Sequence, residues 1–162
     1  MKNNHIQHAV KFGVILGSLR VLLDVSFKVL NVSAMQYNLS SIYGLVIEVV
    51  LIVMAIVIYR NTINNQLLSI REALKIGIIM MIITSAFLFL TVNFYHPEFG
   101  REKAIAFTKT YQPEKLQETL NNIKISKENP AYLLGFAGNT LKFMFSGLII
   151  SFIIGIVLSK KE

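Results

Sequence analysis

The residues with the clearest chemical potential are charged side chains inside apolar segments. The apolar run from Val10 to Leu30 carries Arg20, Asp24 and Lys28, and two further apolar runs carry Glu48 and Lys142. An isolated charge near the centre of a bilayer costs about 2.5 to 3.5 kcal/mol, so such residues pair with one another or handle protons and ions. The chemistry to weigh is therefore helix pairing against ion handling.

The composition is that of an integral membrane protein. Of the 162 residues, 54% are hydrophobic and only 15% are charged, and the mean hydropathy is +0.57, which is too apolar for an ordinary soluble domain. The chain has no cysteine, which excludes disulfides, thiolate metal sites and thiol nucleophiles. The basic residues behind the net charge of +7 flank apolar segments rather than forming a stripe. The predicted partner is thus a lipid bilayer and not a nucleic acid.

Four segments are long enough to cross a hydrocarbon core of about 30 Å, which needs roughly 20 helical residues. They cover about 9–30, 41–59, 73–95 and 132–158. The sequence predicts an all-α polytopic protein, a four-helix bundle formed by one membrane domain over 1–162. A signal peptide is the alternative for the N-terminus, but Arg20, Asp24 and Lys28 would interrupt its apolar core.

Two loops carry helix signals. Ser69 and Glu72 form a capping box that predicts the start of the third span. Between the third and fourth spans, Pro113 suits the first turn of an amphipathic helix that runs to about Ser126. The segment 97–130 is therefore predicted to be helical, amphipathic and extracytoplasmic.

The orientation follows from the basic residues. Lys2, Lys11, Arg60, Arg71 and Lys75 fall on one side of the membrane, together with the C-terminal lysines, whereas the short connection 31–40 has none. This distribution predicts a bacterial inner-membrane protein with both termini in the cytoplasm. The six basic residues between 96 and 131 oppose that orientation, although five glutamates lie among them.

Small residues recur along one face of each span, where they let helices approach closely in lipid. The fourth span has two such faces, one with Gly138, Lys142 and Ser146 in its outer half and another lower down. The predicted helix-packing positions are Gly13, Gly17, Gly44, Gly77, Gly147, Ser151 and Gly155.

The depths of the charges predict a buried cluster. At about 1.5 Å per residue, Arg20 and Lys142 lie roughly 16 Å above the inner boundary, Glu48 roughly 20 Å and Asp24 roughly 22 Å. We expect the two acids to neutralise the two bases. A carboxylate at this depth is also a candidate for proton or ion handling, but the balanced charges favour a structural role.

No catalytic or cofactor pattern accompanies this cluster. His5 and His8 fall in the predicted N-terminal tail and His96 at the outer interface. The chain has no HExxH motif and no nucleophile elbow. The sequence thus predicts no metal, no cofactor and no enzymatic activity.

Three passages carry a family resemblance: Lys11 to Gly17, Ser69 to Gly77, and the run from Ser146 to Ser151 that leads to Lys160 and Lys161. The chain resembles the bacterial membrane proteins grouped as domain of unknown function 4199. The resemblance implies four membrane helices in a bacterial envelope protein and supplies no activity and no site residue. Arg71 departs from the family, in which a glycine or polar residue is common there.

The predicted role is a non-enzymatic accessory or interaction component of the cell envelope whose segment 97–130 meets a protein partner or lies on the lipid headgroups, with homo-oligomerisation left open. The alternative is a small oligomeric transporter or ion-conducting component that uses Asp24 and Glu48. A lipid-modifying enzyme ranks third, because no acid and base are placed together near an interface.

Overall fold

Every regular element that the structure describes is helical. The computed structural model describes residues 4–91, 97–128 and 132–159. The helices are α1 Asn4–Val29, α2 Ala34–Asn38, α3 Ser40–Ile58, α4 Ile70–Leu90, α5 Pro97–Tyr111, α6 Leu116–Glu128 and α7 Tyr132–Leu158. A π-helical turn, Tyr59–Ile63, follows α3, and a 3₁₀ turn, Pro113–Lys115, precedes α6. The all-helical fold class is confirmed.

Three helices are long and apolar enough to cross a membrane. They are Ala34–Ile63, Ile70–Leu90 and Thr140–Leu158, which identifies the chain as a membrane protein. Helix α1 has 26 residues but carries four charges and is not among these three, so a fourth span stays a prediction. The predicted third span ended at 95, and its residues 92–95 lie outside the described residues.

Helix α4 is the centre of the packing, because both α1 and α7 pack along its length. Helix α1 runs parallel to α4, with Gly13 beside Met80 and Gly17 beside Phe87. Helix α7 runs antiparallel to α4, and α3 packs between α1 and α7 to complete a group of four helices. The end of this bundle at which residues 60–69 connect α3 to α4 is called the loop end. The opposite end, at which α2 lies, is called the α2 end.

Capping boxes begin two of the helices. The predicted box at the start of α4 forms, since the Ser69 amide donates to Glu72 Oε2 at 3.0 Å and the Glu72 amide donates to Ser69 Oγ at 3.2 Å. An equivalent box that we did not predict, between Ser33 and Gln36, starts α2. The predicted helix from Pro113 begins instead with a 3₁₀ turn and becomes α-helical at Leu116.

Helices α5 and α6 form a hairpin, residues 97–128, that is attached to the bundle through α2. The rings of Tyr37 and Phe99 meet edge to face with centroids 5.4 Å apart, and Lys103 Nζ donates to Asn31 Oδ1 at 2.9 Å. Helix α6 folds back along α5. The predicted amphipathic segment is thus a helical hairpin over its described residues, while 129–130 lie outside them.

Candidate functional site

The buried charges that the structure brings together are those of Arg20 and Glu48. Arg20 Nε lies 3.6 Å from Glu48 Oε1, and their side chains are only 13% and 5% exposed. The contact joins the middle of α1 to α3, which run antiparallel. Because both side chains are removed from solvent, the attraction between them is screened far less than at a surface.

Gly44 makes room for this pair. A Cβ atom at Gly44 would overlap the Arg20 guanidinium at Nη1, so any larger residue there would displace the arginine. Gly44 lies one helical turn before Glu48 on α3, which places the guanidinium over the helix surface. Arg20 Nε has no hydrogen-bond partner within the described part of the chain.

The pair lies nearer the α2 end of the bundle than the sequence predicted. Met80, beside Gly13, is ten residues into α4, so it lies roughly 15 Å along a helix that is roughly 31 Å long. Arg20 is seven residues further along the parallel α1, at roughly 25 Å. This position follows from the register of α1 on α4, which places Gly13 beside Met80, and α1 begins at Asn4 rather than at Ala9.

Asp24 lies one turn beyond Arg20 and within electrostatic range of Tyr37, the residue of α2 that contacts the hairpin. Asp24 therefore lies close to the junction between the bundle and the hairpin. Its part in neutralising Arg20 stays a prediction.

Lys142 does not join the buried pair. It is exposed on α7, whereas Gly147 and Ser151 of the same helix are buried. The lower small-residue face of α7 is therefore the one that packs on α4, and the upper face with Gly138 and Lys142 points away from the bundle. A helix can turn only one face toward one neighbour, so the two predicted faces could not both be buried against α4.

The seven predicted helix-packing residues all lie at close contacts between elements of the bundle. A Cβ at Gly77 would come 2.7 Å from the Gly147 carbonyl oxygen, and one at Gly155 would come 3.1 Å from the Ala73 Cβ. Glycine therefore permits the close approach of α4 and α7. The buried packing positions are Gly13, Gly17, Gly44, Gly77, Gly147, Ser151 and Gly155.

A polar network at the loop end was missed. His8, which is only 8% exposed, has its Nε2 2.8 Å from the Ala55 carbonyl oxygen. The Tyr59 hydroxyl donates to Glu72 Oε1 at 2.9 Å, and the His8 ring lies 5.8 Å from the Tyr59 ring. The histidine was assigned to a solvated tail because the predicted helix began one residue after it. The network ties α1, α3 and α4 together.

The buried polar groups of the bundle take part in ion pairs and hydrogen bonds between its helices. Within residues 4–91, 97–128 and 132–159 there is no group of three or more histidine or acidic residues that could hold a metal ion. The opposite charges of Arg20 and Glu48 neutralise each other. The Glu72 carboxylate accepts hydrogen bonds from the Tyr59 hydroxyl and from the amide and hydroxyl of Ser69.

A family model described as "Protein of unknown function (DUF4199)" matches residues 11–160. No curated protein matches the chain, and no solved structure matches it. The match covers both the Arg20–Glu48 pair and the α5–α6 hairpin.

Proposed function

Since the chain belongs to the DUF4199 family of proteins of unknown function, we propose its role from its own structure. We propose a non-enzymatic accessory component of the bacterial cell envelope that crosses the inner membrane four times and presents the α5–α6 hairpin to a protein partner on the outer side.

Helix α1 is the fourth span in this proposal. It packs along α4, which is itself apolar and long enough to cross a membrane. Among its charges, Arg20 lies 3.6 Å from Glu48, and such pairing lowers the penalty of an arginine in lipid.

The orientation is supported by the basic side chains near the loop end. Lys11, Arg60, Arg71 and Lys75 lie toward that end, where Glu72 is the acidic residue among those described. An excess of basic residues marks the cytoplasmic side of a bilayer. Both termini are accordingly cytoplasmic, and the hairpin is on the opposite side.

The observation that carries the accessory role is the placement of the hairpin. Helix α5 uses one face to contact α2, and over the described residues α6 packs mainly on α5. The side of the hairpin away from α2 is solvated, and Tyr111 at its tip is 53% exposed. A helical pair that the bundle does not need for its own core is a suitable docking element.

Photocrosslinking in native membranes tests this role. A photoreactive amino acid in place of Tyr111 should give a discrete adduct with one envelope protein. The matched control is Leu67 in the opposite loop, which is also 53% exposed and should not give that adduct. If the Tyr111 position yields only lipid adducts or none, the accessory role is wrong.

A transporter or ion-conducting component is the second candidate, favoured by the burial of Glu48 at 4% exposure inside an apolar helix. Liposomes containing the protein should then show a proton or solute flux that the paired Asp24→Asn, Glu48→Gln variant lacks. Equal flux through the two proteins would dispose of this alternative.

A further inference from the structure

Helix α7 carries a charged residue on its outward face. Gly138, Lys142, Phe145, Ile149 and Phe152 follow one another at steps of four, three, four and three residues, which places them on one side of the helix. All five are exposed, Phe145 to 66% and Ile149 to 56%. Below, this set of residues is called the α7 outer face.

Lys142 lies at a depth where the surroundings are apolar. Thr140 Oγ1 and Ser85 Oγ are 3.1 Å apart, and Ser85 is fifteen residues, or roughly 22 Å, along α4. Lys142 is two residues further along the antiparallel α7, which places it level with a point roughly 20 Å from the first residue of α4. The end of α4 lies at roughly 31 Å on the same scale. The next exposed residue on either side, Leu141 or Phe145, is apolar.

The bundle does not neutralise this lysine. Within the described ranges Lys142 has no ion pair and no hydrogen bond, in contrast to Arg20, which faces Glu48. A cation at this depth is costly in lipid unless a carboxylate or water reaches it. The α7 outer face is therefore incomplete in the isolated chain.

Gly138 supplies an independent reason to expect another helix here. Within the described part of the chain, a Cβ atom at Gly138 would meet nothing within 4 Å, so this glycine, unlike Gly77, makes no room for a described element of the bundle. A small residue on an outward face lets the backbone of a neighbouring helix approach closely. It lies one turn from Lys142, on the same face.

We propose that the α7 outer face binds a transmembrane helix of a different protein that carries an aspartate or glutamate opposite Lys142. A second copy of this chain fits poorly, because Glu48 is already paired with Arg20 and Asp24 lies near the α2 end of α1. This inference rests on the accessory role proposed above and names the chemistry of the partner within the membrane.

The test uses the full chain in its native membranes, with a photoreactive phenylalanine analogue at Phe145. The expected adduct is a membrane protein with an acidic residue inside a span, and Lys142→Met should reduce its yield at least tenfold while Lys142→Arg retains it. Combining Lys142→Glu in this chain with a lysine in place of the partner's acidic residue should restore the adduct yield. The control probe replaces Val46, which is 56% exposed on α3, and should not give that adduct.

Several results would overturn the inference. Adducts with lipid alone would show that Lys142 extends to water without a partner. An adduct with a second copy of this chain, or with a protein that has no acidic residue inside a span, would exclude the proposed partner. So would an adduct whose yield is the same in Lys142→Met as in the wild type. The purified Lys142→Met variant should have the same unfolding midpoint in detergent as the wild type. If it fails to fold, Lys142 stabilises the chain itself, and the inference is wrong. If Tyr111 still captures a protein while Phe145 captures lipid, this inference alone fails; if neither position captures a protein, the accessory role fails as well.

Discussion

The ion pair between α1 and α3 gives the sharpest stability prediction. Arg20→Met leaves the Glu48 carboxylate unpaired at 4% exposure, and removing one partner of a buried pair costs about 3–5 kcal/mol. Arg20 lies near the α2 end, so in Glu48→Gln the guanidinium can extend toward water, as long basic side chains do. We expect a loss of about 3 kcal/mol for Arg20→Met and about 2 kcal/mol for Glu48→Gln. The double variant Arg20→Met, Glu48→Leu should lie within about 1 kcal/mol of the wild type, because it buries no charge.

The assay is reversible unfolding of the purified protein in mixed detergent micelles, followed by circular dichroism. The control is the pair formed by Glu98 and Arg101, whose atoms are only 2.8 Å apart but whose Glu98 side chain is 58% exposed. Despite the shorter distance, Glu98→Gln should cost less than about 1 kcal/mol, since water screens the charges. Burial rather than distance decides the difference.

Two results would refute this reasoning. If the double variant Arg20→Met, Glu48→Leu loses the sum of the losses measured for Arg20→Met alone and for Glu48→Leu alone, the side chains are not coupled and the 3.6 Å contact contributes nothing to stability. If Arg20→Met changes the unfolding free energy by less than about 0.5 kcal/mol, Glu48 is not held as a buried carboxylate by the arginine.

Two further predictions use the same unfolding assay. Gly77→Ala should destabilise the protein by about 1–3 kcal/mol, because its Cβ would lie 2.7 Å from the Gly147 carbonyl oxygen. The control variant Gly138→Ala should be neutral or slightly stabilising. Equal effects of the two substitutions on the unfolding free energy would contradict the close packing of α4 and α7. Tyr59→Phe should cost about 1.5–3 kcal/mol by removing the hydrogen bond to Glu72, and a loss no larger than that of Tyr43→Phe, at a tyrosine that is 48% exposed, would show that this bond does not hold α3 to α4.

The sequence predicted features that depend on local pattern or on length. Long apolar runs predicted the helices, because no other isolated structure satisfies its backbone in lipid, and the Ser69 capping box was found from four residues. The same pattern was present at Ser33 and Gln36, so α2 could have been predicted as well. Matching depths brought Arg20 and Glu48 to one level, where the structure places them in contact, but they also brought Lys142 to that level, and it does not join the pair.

The sequence was a poorer guide to features that depend on how a helix is rotated about its axis. Helix α7 offered two small-residue faces, and nothing in its own sequence decided that Gly147 rather than Gly138 would meet α4. The choice depends on complementarity with Gly77 and Met81 across the contact. The exposure of Lys142 followed from that choice. The loop-end network was missed for a related reason, since His8 becomes a packing residue only when α1 extends back to Asn4.

The joint between the hairpin and the bundle has a mechanical consequence. Helix α2 is separated from α3 by Leu39 alone, whose backbone is itself in the right-handed helical region. The hairpin contacts Tyr37 of α2 and Asn31 of the connection that precedes α2, and Glu48 lies about two turns inside α3. A force that tilts the hairpin would therefore act, through α2, on the part of α3 that pairs with Arg20.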